Sequence, residues 1–187
     1  MLRPPRRPRF HDPARAEIAA RGGVRAPTVW GVEIRAVPYD HPDAVKLSDQ
    51  VQAEYVARYG SDDMTPLHPS HFAPPQGLFL VAYEDGTPVA SGGWRAQEAN
   101  DEGYEDGDAE IKRMYVVPAA RGRGLARRIL AALEDSAREA GRVRTVLETG
   151  TPLPEAVSLY ASSGYVPAPN FGLYRDTPES RCFQKRL

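Results

Sequence analysis

The stretch VVPAARGRGLARRILAALEDSAREAG, Val116 to Gly141, decides how this chain is read. A short apolar strand ends at Pro118, a glycine-bearing basic turn follows, and a long amphipathic helix comes next. Leu125, Ile129, Leu133 and Ala137 recur at helical spacing on one face; Glu134, Asp135, Arg138 and Glu139 lie on the other, and Gly141 is the expected stop. Four arginines, Arg121, Arg123, Arg127 and Arg128, crowd the turn and the helix start. A helix N-terminus carries partial positive charge and ordinarily favours Asp or Glu, so cations there are out of place unless an anion joins them. A turn between strand and helix aims several backbone N–H groups at one point, and Gly122 and Gly124 allow close approach because no Cβ intervenes. The stretch reads as a phosphate cradle; a solvated basic turn is the plainer alternative. The P-loop pattern is absent. From Gly122 the run G-R-G-L-A-R has Arg127 where a dinucleotide fingerprint needs its third glycine, which counts against nucleoside triphosphates and NAD.

Working outward, EIKRMYVV (Glu110 to Val117) is the strand that enters the turn, and RVRTVLETG (Arg142 to Gly150) is the strand that follows the helix. Together they form one β-α-β crossover. Upstream, GVEIRAVPY (Gly31 to Tyr39) alternates as a first strand, and His41 to Arg58 has helical periodicity with Gly60 as its stop. Gly77 to Gln97 is a β-hairpin turning at Asp85-Gly86, and Gly92-Gly93 in its second arm marks a bulge or a close backbone approach. Downstream, PEAVSLYASSG (Pro154 to Gly164) is a short helix, and YVPAP and ESRCFQKRL supply two last strands. The order β-α-β-β-β-α-β-α-β-β is an α/β arrangement, one mixed sheet flanked by helices.

The chain has 187 residues, 41% hydrophobic and 26% charged, which fits one domain with a sizeable core. Residues 1–27 are rich in Arg and Pro and read as a flexible arm, leaving 28–187 as the domain. The net charge of −1 gives no general footing for nucleic acid or an anionic membrane, although the basic arm leaves DNA contact as a lesser alternative. No apolar run approaches membrane-spanning length. With one cysteine, Cys182, there is neither an intrachain disulfide nor a Cys-based metal site, and a cytoplasmic location is expected. Cys182 reads as a small core residue. His68 and His71 read as loop or short-helix residues, and no metal site is expected.

Arg121-Gly122-Arg123-Gly124-Leu125-Ala126 fits [RQ]-x-x-G-x-[GA], and SLYASSGY (Ser158 to Tyr165) fits L-Y-x-x-x-G-[FY]. In this strand–turn–helix context the chain resembles the GNAT superfamily of acyl-CoA-dependent N-acetyltransferases, from about Gly31 to Leu187. The resemblance implies a mostly antiparallel sheet of six to seven strands, with the fourth and fifth splayed apart to hold acetyl-CoA as co-substrate. The pantetheine arm would lie along Met114, Tyr115, Val116 and Val117, and the pyrophosphate on the amides of Arg121 to Ala126.

Acetyl transfer to an amine needs a deprotonated amine, a stabilised oxyanion and a protonated or stabilised thiolate. Tyr160 matches the family's usual general acid. Glu110 lies eleven residues before Arg121, the spacing of the catalytic glutamate in one branch of the family. Strand alternation would put it on one face with Lys112, Met114 and Val116, in a cleft that raises its pKa towards neutrality. Glu148, with Thr149 beside it, is the rival for the base or for binding the cationic amine. A backbone amide at Tyr115 or a neighbour would hold the oxyanion. Tyr55, Trp94, Phe171 and Tyr174 occupy positions that border the acceptor cleft in relatives, and the acidic run Glu98 to Asp108 offers a mild attraction for cationic amines or simply a solvated loop. The expected partner is a small-molecule amine. A protein Lys or N-terminal amine, or a non-catalytic acyl-CoA sensor on the same fold, are the alternatives, and a homodimer stays open.

Overall fold

A computed structural model describes residues 31–187, so the arm expected over residues 1–27 lies outside the described residues. The strands are β1 (Val32–Ala36), β2 (Gly77–Glu84), β3 (Thr87–Gln97), β4 (Asp108–Val116), β5 (Arg144–Gly150), β6 (Val166–Ala168) and β7 (Ser180–Arg186). The helices are α1 (Pro42–Tyr59), α2 (Leu125–Glu139) and α3 (Pro154–Ser162). This is the element order expected from the sequence. The seven strands form one sheet in the order β1-β2-β3-β4-β5-β7-β6, antiparallel except for the β4–β5 pair.

The apolar face of α2 (Leu125, Ile129, Leu133, Ala137) packs on one side of the sheet with Ile34, Leu80, Trp94, Ile111 and Leu147. On the other side Ala44 and Leu47 of α1 pack against Phe72, Phe79, Val81 and Tyr83. Helix α2 ends as the sequence indicates: the N–H groups of Gly141 and Arg142 donate to the carbonyls of Arg138 and Ala137, each at 3.0 Å. One residue on its expected polar face departs. Glu134 is buried, because β7 brings Lys185 Nζ to 2.6 Å and the ion pair offsets the loss of water.

Two irregularities in β4 build the site. The first is a bulge. Gly93 pairs with Lys112 and Ser91 with Tyr115, so β4 spends three steps where β3 spends two, and Arg113 takes φ +56°. Alternation is therefore broken. Ile111, Met114 and Val116 pack towards α2, whereas Tyr115 packs towards α1. The expectation that Glu110, Lys112, Met114 and Val116 share one face fails here. Gly92, opposite the bulge, is required: a Cβ there would meet Met114 Sδ at 2.4 Å.

The second irregularity is a splay. β4 and β5 pair only through Asp108–Arg144, Ala109–Thr145 and Glu110–Val146. Beyond that, β4 continues against β3 and β5 against β7. The closed end is braced by the acidic run. Fully buried Asp108 accepts from Arg144 Nε and Nη2, both at 2.7 Å, while Glu98 pairs with Arg142 and Glu105 with Arg144, each at 2.8 Å. These carboxylates serve the chain's own arginines and loop amides rather than an acceptor amine.

Candidate active site

The splay opens a cleft of about 1000 Å³ between β4 and β5, bounded by α1, the basic turn and α3. At one end the turn forms a cradle. Gly122 and Gly124 have φ of +74° and +76°, a conformation that costs other residues about 1–2 kcal/mol. Among the described residues, no hydrogen bond engages the amides of Gly122 to Arg127. They are unengaged donors at the start of α2, where the helix dipole favours negative charge.

The four arginines divide. Arg121 lines the cleft, donating to Glu54 at 2.5 Å and to the Val116 carbonyl at 2.9 Å. Arg127 also lines it and donates to Ser162 Oγ at 2.7 Å, with no carboxylate partner among the described residues. Arg123 instead turns to Glu84 at the end of β2, and Arg128 reaches the Val32 carbonyl at 3.4 Å. The apparent excess of cations is thus partly absorbed by the fold, and the cradle consists of amides flanked by Arg121 and Arg127.

In mid-cleft stands Tyr160 of α3, almost fully buried against Tyr165 and Phe183. Burial, with the Tyr55 and Tyr59 phenols beside it, pushes its pKa well above the ordinary value, so the hydroxyl keeps its proton. Glu148 of β5 also lines the cleft and accepts from Ser180 Oγ at 2.7 Å. Burial raises its carboxyl above the usual range, although the Ser180 hydroxyl and the Lys112 charge pull the other way.

Glu110 is the main correction. It is 1% exposed and does not line the cleft. Arg95 Nε donates at 2.6 Å, Gln97 Nε2 at 3.0 Å, and Lys112 Nζ lies 2.9 Å away. Burial alone would raise its pKa, but Lys112 and Arg95 outweigh that and hold it at about 2. A carboxylate held between two cations in this way is a poor proton acceptor at neutral pH.

Residues 45–165 match the acetyltransferase (GNAT) family. The chain belongs to this family. An IAA acetyltransferase from Azospirillum brasilense is 37% identical over 131 residues, covering 67% of this chain and 82% of that protein. A candidate acyl-CoA N-acyltransferase from Klebsiella pneumoniae superposes with a TM-score of 0.66 at 27% identity, over 83% of this chain and 97% of that one. A candidate acetyltransferase from Salmonella typhimurium, solved with its cofactor acetyl-CoA, shares the fold with a TM-score of 0.63 at 19% identity, over 84% and 94% of the two chains.

Of the residues expected in this GNAT site, Tyr55, Met114, Tyr115, Val116, Arg121, Gly122, Gly124, Leu125 and Ala126 line the cleft, as do Glu148, Thr149, Tyr160 and Tyr174. Others do not. Trp94 is 1% exposed in the core beneath α2, with Nε1 on Ser136 Oγ at 3.2 Å. Phe171 packs on Tyr104 at 4.9 Å between centroids and anchors its loop. Arg123 and Val117 also lie outside the lining. Residues missed by sequence reasoning include Arg58, Lys112 and Arg113. Arg58 lies one helical turn from Tyr55, which was a usable signal. Lys112 and Arg113 reach the cleft through the bulge, which leaves no mark in the β4 sequence.

His68 and His71 form the start of a single 3-10 turn, and among the described residues no cluster has the makings of a metal site. Cys182 is buried with Val146 and Phe171, in keeping with a core role. Among the described residues, no helix is long and apolar enough to cross a membrane.

Proposed function

We propose that this GNAT acetyltransferase passes the acetyl group of acetyl-CoA directly to a primary amine of a small molecule, with Glu148 as base and Tyr160 as acid. The observation that carries this is the cleft itself, whose lining combines an amide cradle, a carboxylate that burial raises and a phenol that keeps its proton. The residues present fit acetyl-CoA. The amides of Gly122 to Arg127 and the Arg127 guanidinium suit a pyrophosphate. The edge of β4 past Glu110 has no strand partner on the β5 side and suits the amide-bearing pantetheine arm. The relative named as an IAA acetyltransferase supports a small-molecule acceptor.

The amine arrives as its ammonium and yields a proton to Glu148, directly or through water. The nitrogen lone pair then forms the C–N bond at the thioester carbonyl, and a backbone N–H of β4 beyond the bulge, at Tyr115 or a neighbour, steadies the oxyanion. The C–S bond breaks with its electron pair on sulfur and Tyr160 protonates the thiolate; the second proton leaves the former amine nitrogen and restores the phenol through solvent, while Glu148 releases the first to water. The products are the amide, free CoA thiol and one proton.

The test is calorimetric titration of acetyl-CoA, followed by thiol release with an amine panel. Micromolar binding and amine-dependent thiol release are expected. Binding without release from any amine would leave an acyl-CoA sensor, and absence of binding would overturn the assignment of the cradle.

A further inference from the structure

The acceptor end of the cleft distributes its charges unevenly. Every cation that lines it already holds a carboxylate: Arg58 with Glu155 at 3.0 Å, Lys112 with Glu110 at 2.9 Å, and Arg113 with Asp63 at 2.6 Å. The Lys112 and Arg113 side chains are 9% and 5% exposed, so drawing either away would leave an uncompensated buried charge. The carboxylates are not all engaged in return. Glu148 is bonded only to the Ser180 hydroxyl, and Asp62 and Glu179 on the lining form no ion pair among the described residues. Between these groups the walls are aromatic. Tyr55 and Tyr59 meet edge-on at 6.1 Å, and Tyr174 is fixed by its hydroxyl, which accepts from the Met64 N–H at 2.6 Å.

We propose that the acceptor is an amine bearing an apolar or aromatic body and no carboxylate or phosphate of its own, and that it enters as its ammonium against Glu148. This rests on the acetyltransferase reading of the same cleft. A guest ammonium supplies the ion pair that Glu148 lacks, and the phenol rings favour a cation over their faces. A guest carboxylate would meet Asp62, Glu179 and Glu148 with no unengaged cation at that end to receive it, and discrimination follows from that repulsion.

The full chain, loaded with CoA, is titrated calorimetrically with phenethylamine, phenylalanine and phenylalanine amide, and with tryptamine and tryptophan. The amines are expected to bind about 100-fold tighter than the amino acids, because like charges are forced together in the latter. Phenylalanine amide, which keeps the bulk without the charge, is expected within about fivefold of phenethylamine, and Glu148→Gln is expected to shrink the amine preference to about tenfold or less. Equal or tighter binding of the amino acids, rejection of the amide as strongly as the acid, or no binding of either amine overturns the proposal. Thiol release from acetyl-CoA is read separately. Its absence, with the binding preference intact, would overturn the transfer reaction and leave the ligand preference standing.

Discussion

Glu110 of β4 is buried and Glu148 of β5 half-buried, yet their proton affinities move in opposite directions. Glu110 accepts from Arg95 and Gln97 with the Lys112 ammonium 2.9 Å away, and sits at about 2. Glu148 has one neutral hydroxyl donor and rises above the ordinary range. Burial penalises charge in both; the partners decide the sign. On the function proposed above, the first residue braces the sheet and the second accepts the amine's proton. The same division runs through the arginines of the basic turn, where Arg123 is spent on Glu84 and Arg127 faces the cleft.

The largest expected effect breaks the comparison from the structural side. Glu110→Gln removes the charge that Arg95 and Lys112 share, and a loss of about 3–5 kcal/mol in unfolding free energy is expected from denaturant titration at pH 7. The linkage has a definite sign. The folded pKa of Glu110 lies below its unfolded value, so its contribution is full above about 4.5 and is lost as pH falls towards about 2. Glu148 has the reverse sign: its raised pKa costs stability as pH rises past the unfolded value. Glu148→Gln should therefore leave stability at pH 7 unchanged or slightly improved. A parallel loss of stability in both variants would dissolve the distinction.

Activity should invert the order. Glu148→Gln is expected to lower kcat/KM by about 100-fold and to remove the acidic limb of its pH profile, which for wild type should lie above the usual carboxylate range. If the limb survives in Glu148→Gln, the base is elsewhere. Tyr160→Phe should lower kcat by a comparable ~100-fold while the Kd of acetyl-CoA stays within about twofold, since the phenol acts on the leaving sulfur rather than in binding.

The smaller effects sharpen the division among the cradle residues. Gly124→Ala must hold φ near +76° with a Cβ, and acetyl-CoA binding should weaken about tenfold by calorimetry. Arg127→Ala should weaken it about fivefold, and Arg123→Ala by less than about twofold, in line with their partners. A larger effect at Arg123 than at Arg127 would mean that the Glu84 pair opens when acetyl-CoA binds.

What the sequence determined by itself was local. Periodicity and turn residues together placed the strands and helices in order, because side-chain patterns at spacings of two and 3.6 report which face meets the core and Gly, Pro and Asp mark where elements end. Gly122, Gly124 and the adjoining arginines marked the cradle, because positive φ and clustered amides are written in a few consecutive residues. SLYASSGY similarly placed Tyr160. What only the tertiary structure decided was pairing across the chain. The bulge at Arg113 depends on how β4 is registered against β3, so the face of Glu110 could not be counted from alternation alone. Its proton affinity depends on Arg95 and Gln97 from another strand, as that of Glu148 depends on Ser180, 32 residues away. Trp94 and Phe171 have the same apolar aromatic chemistry whether they line a cleft or fill a core, and the fold put both in the core. Charge state and exposure are properties of neighbours brought together in space, and neighbours distant in the chain leave no local mark in the sequence.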